Sequence, residues 1–299
     1  MNLKRINMLH YTRLRAYQLG TEGASFSISV NDHFTLVEAR YNERNAPGIQ
    51  WELQLLKKKS IDTLHITSWD EDHCEYNQLL TILKVLKPSV VECPGYAPHT
   101  DNGKSCLTLL RLYQSYSLIK IIRIGTADVR LQNKLKLNGS DLLFNPVNYS
   151  TNSNDNSVVK LFRVGSFQVL SLGDCEDATI SEYLSGDEIL QSEVDIMILA
   201  HHGSSEDFTT TEFLKAINPR IAISCSDFDN RYGHPTPLIR QRLDRQGIKL
   251  LTTKEGDVIA ETIDKYNFKV SNYVSNNETK ESVVTRKNKT WYINDQEPT

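Results

Sequence analysis

The chain has 299 residues, with 34 Lys+Arg against 37 Asp+Glu, a formal net charge of -3 and 39% hydrophobic residues. These values exclude collagen-like, coiled-coil and wholly disordered chains, and the near-balanced charge argues against a polybasic nucleic-acid coat while leaving room for a local basic groove. Mean hydropathy is -0.42, and no apolar run approaches the roughly 20 residues that a membrane-crossing helix needs.

The basic N-terminal stretch lacks an apolar core and a small-residue cleavage site, so no secretory signal is expected. Period-2 runs then predict strands over 15–17, 25–30 and 34–39. A short helix follows over 50–58, where Trp51 and Leu55 share a face, and a strand over 61–67. Helices over 76–86 and 104–116 alternate with strands over 90–92 and 117–124, and Pro88 stops the first of them. The second half repeats the pattern. Strands are expected over 135–137 and 142–146, and a polar loop over 148–156. A strand pair over 157–163 and 168–172 turns through Gly165. Helices over 178–184, 210–217 and 236–246 then alternate with strands over 194–199, 221–225, 249–252 and 258–261.

Two similar halves suggest two sheets packed face to face with helices outside. From Lys265 the composition turns polar, so residues 1–264 read as one domain and 265–299 as an appendage that ends in a strand-like stretch at 291–293. Its cations, among them Lys265, Lys269, Lys280, Arg286, Lys287 and Lys289, fit a nucleic-acid backbone or, more commonly, a solvated face.

Four clusters follow predicted strands: Thr67-Ser68-Trp69-Asp70-Glu71-Asp72-His73, Gly173-Asp174, Ala200-His201-His202-Gly203-Ser204, and Asn230-Arg231-Tyr232-Gly233-His234-Pro235. Strand ends held rigidly by a sheet are where ligand sites gather. Carboxylates with imidazoles suit a borderline divalent ion such as Zn²⁺ or Mn²⁺. A bridging carboxylate such as Asp174 would allow two ions about 3.5–4 Å apart. Cys74, Cys93, Cys106, Cys175 and Cys225 form no CxxC pair and read as reduced thiols of a cytoplasmic protein. His10, His33, His65 and His99 fit no motif.

In order and spacing over roughly residues 15–262, these clusters resemble a metallo-β-lactamase-fold hydrolase, and within it the metallo-β-lactamase domain of ComEC-type competence proteins. The family's HxHxDH is matched by Ser68-x-Asp70-x-Asp72-His73, and its N-x-N-S-[LV]-V by Asn154-Asp155-Asn156-Ser157-Val158-Val159. Its Gly-Asp, His-His-Gly-Ser and N-R-Y-G-H-P stand at Gly173-Asp174, His201 to Ser204 and Asn230 to Pro235. The turn from Leu19 to Ser25 is a worn form of V-G-Q-G-D-[AS].

The resemblance implies an α/β (α+β) fold, an αββα sandwich, with one or two divalent ions at one edge. It also implies a phosphodiesterase or nuclease that uses a metal-bound hydroxide. Carried over by position, Asp70, Asp72, His73, Asp174 and one or both of His201 and His202 are metal ligands. Asp72, Asp174 and His234 act in catalysis, and Ser68, Ser204 and Arg231 contact substrate. Two departures stand out: Ser68 replaces the first motif histidine, and Glu38-Ala39-Arg40 replaces Asp-Gly-Gly. Trp69 reads as pocket wall or as a base-stacking surface.

Two other readings stay open: a degenerate binding or regulatory subunit, and a hydrolase of a small molecule (lactam, thioester or cyclic nucleotide). The expected partner is a nucleic acid or another phosphodiester and no membrane, with a protein partner or a second copy left open. If the reading holds, Asp72, His73, Asp174 and His202 meet at one cation-holding cavity.

Overall fold

The structure, a computed structural model, describes residues 11–135, 140–204, 206–273 and 279–287. The predicted strand at 291–293, Lys289 and His10 lie outside the described residues.

Alternating apolar residues bend the first stretch into an antiparallel meander of β1 (Thr12–Ala16), β2 (Phe26–Val30) and β3 (His33–Val37). Three crossovers through α1 (Ala46–Leu55), α2 (Tyr76–Val85) and α3 (Asp101–Tyr116) then add β4 (Thr63–His65), β5 (Val90–Pro94) and β6 (Lys120–Ile124) in parallel. A helix at this stage is what returns the chain for parallel pairing. Caps set the boundaries: Glu75 accepts from Asn77 N and Gln78 N to open α2, and Thr100 accepts from Gly103 N to open α3.

Where a strand is predicted over 135–137, Leu135 instead closes a helix, α4 (Thr126–Leu135), and the rest of that prediction lies outside the described residues. The start signal is Asp128, whose carboxylate accepts from Gly125 N at 2.9 Å. The second sheet repeats the first, with β7 (Leu142–Asn145), β8 (Val159–Phe162) and β9 (Val169–Ser171) antiparallel. Crossovers through α5 (Ala178–Ser185), α6 (Glu188–Glu193), α7 (Thr211–Ile217) and α8 (Pro237–Arg245) then add β10 (Ile196–Ile198), β11 (Ile221–Ser224) and β12 (Lys249–Thr252) in parallel. Helix α6 is not foreseen because it is only six residues long.

The last strand predicted with the second half, β13 (Val258–Thr262), crosses over and pairs with β1 of the first sheet. The chain then passes residue 264 without leaving that sheet: β14 (Asn267–Tyr273) and β15 (Thr279–Thr285) extend it. The stretch read as a polar appendage thus supplies a hairpin whose Phe268 and Val270 are buried against Leu14 and Ala260. Beyond it, Lys287 folds its ammonium onto the carbonyls of Gln191 and Ile217.

The sheets are therefore nine- and six-stranded, in the orders β15-β14-β13-β1-β2-β3-β4-β5-β6 and β12-β11-β10-β9-β8-β7. A central apolar layer holds Leu14, Phe26, Phe162, Val169, Ile196 and Ile221 between them. One outer layer packs α1, α2 and α3 on the first sheet, and the other packs α5, α7 and α8 on the second. This is an αββα sandwich of two mixed sheets. At the edge where parallel strands of both sheets end, Val158 N donates to the Thr67 carbonyl and ties the sheets together.

Candidate metal centre

The loop after β4 carries Asp72 and His73, and its backbone is clamped from several sides. His73 N and Cys74 N donate to the Asp70 carbonyl, while Ala39 N and Ala24 N donate to the carbonyls of His73 and Asp72. Arg40 adds a guanidinium bond to the Glu71 carbonyl at 2.9 Å. Gly23 lies so close that a Cβ there would stand 2.3 Å from the Asp72 carbonyl oxygen, and its φ of +123° disfavours a side chain as well.

Asp174 follows β9 across a tight turn. Gly173 has φ +55°, and a Cβ would meet Ser157 Cβ at 2.7 Å. The Ser157 hydroxyl accepts from Asp174 N at 3.1 Å, which gives the Asn-x-Asn-Ser stretch a positioning role. His201 and His202 follow β10 with φ of 45° and 56°. Left-handed backbone at two consecutive non-glycine residues is strained, and strain of this kind gathers at functional sites.

Ligand atoms of Asp72, His73, Asp174 and His202 all lie within 4.8 Å of one another. His73 Nε2 is 2.8 Å from Asp174 Oδ2 and 3.9 Å from Asp72 Oδ2. His202 Nε2 is 3.0 Å from Asp72 Oδ2 and 4.0 Å from Asp174 Oδ1. Two donors each about 2.1 Å from a tetrahedral ion stand roughly 3.4 Å apart, and the four separations bracket that value.

The opposite ring nitrogens are engaged. His202 Nδ1 lies 2.9 Å from the Cys225 carbonyl, and His73 Nδ1 lies 3.1 Å from Glu38 Oε1. Glu38 is fixed in turn by Thr67, through its N at 3.1 Å and its hydroxyl at 2.6 Å. Orienting acceptors of this sort present Nε2 to a metal.

Polar atoms left over at the centre make the same point. Asp174 Oδ1 is buried without a hydrogen-bond partner, and His73 Nε2, buried beside it, has the ion-pair approach to Asp174 Oδ2 at 2.8 Å as its one polar contact under 3 Å. Burial opposes charge on Asp72 and Asp174, yet the imidazoles of His73 and His202 outweigh it and hold both carboxyls below the usual carboxylate range. Burial likewise opposes charge on His73 and His202, but surrounding carboxylates led by Asp174 and Asp72 raise both. Without another cation the two acids draw protons onto the two imidazoles, and a divalent ion would take the place of those protons. The donor set fits a divalent ion.

The other predicted residues lie around this centre. Asp70 stands outside the four-donor set, its Oδ2 accepting from Ser68 Oγ at 3.0 Å, and burial raises its carboxyl. His201 also stands outside, with Nδ1 2.6 Å from Glu176 Oε1, which is in turn held by Asn152 and Asn154. Trp69 is buried and donates Nε1 to the Tyr96 carbonyl, so it packs and offers no stacking face.

A cleft of about 460 Å³ opens over the centre, reached by His201, Ser204 and His234. Ser204 Oγ is buried there without a partner. His234 stacks on Tyr232, and burial together with the neighbouring histidines pushes its imidazole down to about 4. Arg231 is 73% exposed, lies over the Tyr232 ring and pairs with Glu22 at 3.4 Å. Among the described residues the cleft is lined by the acids Glu22, Glu176 and Asp227, and by no Lys or Arg.

The supporting residues Glu38, Glu176, Ser157 and Tyr96 had no signal of their own in the sequence, apart from Glu38 and Ser157 falling within motif positions. All five cysteines are free and buried. No helix among the described residues is long and apolar enough to cross a membrane.

No protein-family model matches the chain. It is 32% identical over 128 residues to the competence protein ComA of Neisseria gonorrhoeae, covering 41% of this chain and 18% of that protein. It is 26% identical over 205 residues to the ComE operon protein 3 of Bacillus subtilis, covering 67% of this chain and 24% of the relative. The chain thus spans well under two thirds of either relative. A metallo hydrolase of the archaeon Ignicoccus hospitalis superposes with a TM-score of 0.49 at 13% identity, over 85% of this chain and all of that one. By its competence relatives, and by the two-sheet architecture and motif order above, the chain resembles the metallo-β-lactamase-fold part of ComEC-type competence proteins.

Proposed function

We propose that the chain is a metal-dependent hydrolase of phosphodiesters, foremost a nuclease, with Asp72, His73, Asp174 and His202 as the ligands of its divalent ion. One observation carries the reading: four donors from three strand ends converge within 4.8 Å, with buried donor atoms left unpartnered at the centre. A Zn²⁺ or Mn²⁺ ion bound by these four residues would supply Lewis acidity and lower the pKa of a water.

The protein's own groups then divide the work. Glu38 and the Cys225 carbonyl keep the two imidazoles turned toward the ion. His234, half-buried at the rim, offers a hydrogen bond to a substrate oxygen, Ser204 lines the cleft beside it, and the exposed Arg231 lies over Tyr232 near by. A polynucleotide is the favoured substrate through the competence relatives, and the free thiols fit a reducing cytoplasm.

A second reading, hydrolysis of a small phosphodiester such as a cyclic nucleotide, is favoured by the cleft itself. Its 460 Å³ lies within the range of small-molecule pockets, and its acidic lining suits a long polyanion poorly. The test is incubation with single-stranded DNA and, separately, a cyclic nucleotide, each with Mn²⁺ or Zn²⁺, using the wild type and Asp174→Ala. Metal-dependent DNA cleavage that Asp174→Ala abolishes supports the nuclease, and cleavage of the cyclic nucleotide alone supports the second reading. Equal cleavage by both proteins sinks the proposal.

A further inference from the structure

We infer that the centre holds one divalent ion and not two, because the side chains that would complete a second shell are engaged with one another. This rests on the proposed ligand set and adds its stoichiometry. Four donors within 4.8 Å of one another are a full protein ligand set for one ion, whose coordination can expand to five to admit water. A second ion would stand about 3.5–4 Å away, share Asp174, and need further donors of its own.

The adjacent loop does not provide them. Ser68 Oγ donates to Asp70 Oδ2 at 3.0 Å, accepts from Asp70 N at 3.2 Å and lies 3.2 Å from the Tyr96 hydroxyl. The Tyr96 hydroxyl also accepts from Trp69 N at 3.2 Å, which closes the network. A neutral hydroxyl bound in such a network is a weak ligand for a divalent ion, and it holds the one carboxylate beside it.

Charge points the same way. Asp72 and Asp174 neutralise one dication. On the adjacent loop a second would meet Asp70, already bonded to Ser68, and the buried Arg40 guanidinium, which donates to the neighbouring Glu71 carbonyl. Like charges this close in a poorly solvated site repel strongly.

The experiment loads metal-free protein with excess Zn²⁺ or Mn²⁺, removes unbound ion and counts metal by mass spectrometry, with melting of each metal-free variant as the folding control. About one ion per wild-type chain is expected, about one for Asp70→Asn and about two for Ser68→His. Two ions per wild-type chain overturn the inference and leave the proposed hydrolase standing. So does loss of the ion in Asp70→Asn whose metal-free melting temperature is unchanged. A well-folded Ser68→His that stays at one ion also counts against it, since something other than the missing imidazole would then limit the shell. A folded wild type that binds no ion sinks the proposed function itself.

Discussion

On β5, Glu92 meets His65 Nδ1 at 2.8 Å and Lys160 Nζ at 2.8 Å, and Asp141 stands 3.6 Å from the same ammonium. At the strand ends, Asp72 and Asp174 meet only imidazoles: among the described residues no Lys or Arg forms an ion pair with either. Both clusters combine carboxylates with histidine in a largely buried setting. The Glu92 cluster contains its own counter-charge, a lysine that carries a proton at any physiological pH. The Asp72–Asp174 cluster has no Lys or Arg ion pair among the described residues; Arg40 acts on Asp72 from a distance, and the close partners are two imidazoles, which leaves a place for a cation from outside. A buried ion pair closed within the protein is structural, whereas one left open is where a ligand belongs.

Breaking each cluster in turn tests the contrast. The largest effect is expected at the open one: Asp174→Ala lowers hydrolysis by about 10³-fold, the loss of roughly 4 kcal/mol of Lewis-acid stabilisation, while its metal-free melting temperature changes little. Activity assays beside calorimetry check both halves of that statement. At the closed cluster the pattern reverses. Lys160→Met strands Glu92 and costs about 3 kcal/mol of stability in urea denaturation, with metal affinity unchanged.

A backbone change comes next. Gly23→Ala pushes a methyl against the Asp72 carbonyl oxygen at a φ of +123°, and about 2 kcal/mol of destabilisation is expected, together with weaker Zn²⁺ binding in titration calorimetry. Glu38→Gln keeps the shape but loses the charged partner of His73, so metal affinity falls about tenfold without a matching drop in melting temperature.

The smallest effect is in acid. Burial opposes the Glu92 charge, but His65 and Lys160 outweigh it and hold the carboxyl below its ordinary value of 4.5. A depressed carboxyl contributes stability that is fully present above the unfolded value and is lost as the pH falls through the folded one. The stability gap between wild type and Lys160→Met therefore narrows below pH 4.5, and urea midpoints from pH 7 down to pH 3 measure it.

Much of this arrangement is legible in the residue string. Asp72-His73, Gly173-Asp174 and His201-His202 each follow a recognisable strand, and strand–helix alternation places their loops along one edge. What local pattern does not reveal is which neighbour faces inward. His201 and His202 are indistinguishable as a dipeptide, and only the consecutive left-handed turns send one to Glu176 and the other to the donor set. Glu38 looks like a mere departure from Asp-Gly-Gly until the fold brings Thr67 and His73 onto its carboxylate. Strand β13 has the same alternation whichever sheet it joins, and its place is set by Ala260 pairing beside Leu14 on β1, both facing the central layer.

Composition and hydrophobic period thus determined the layers, the element order and the kinds of donor present, because those depend on neighbours a few residues apart. The tertiary structure alone decided which four donors converge, why Ser68 and Asp70 close on each other, and where the C-terminal hairpin pairs. Each of those depends on distances between residues remote along the chain, which burial of the shared core sets and no local spacing encodes.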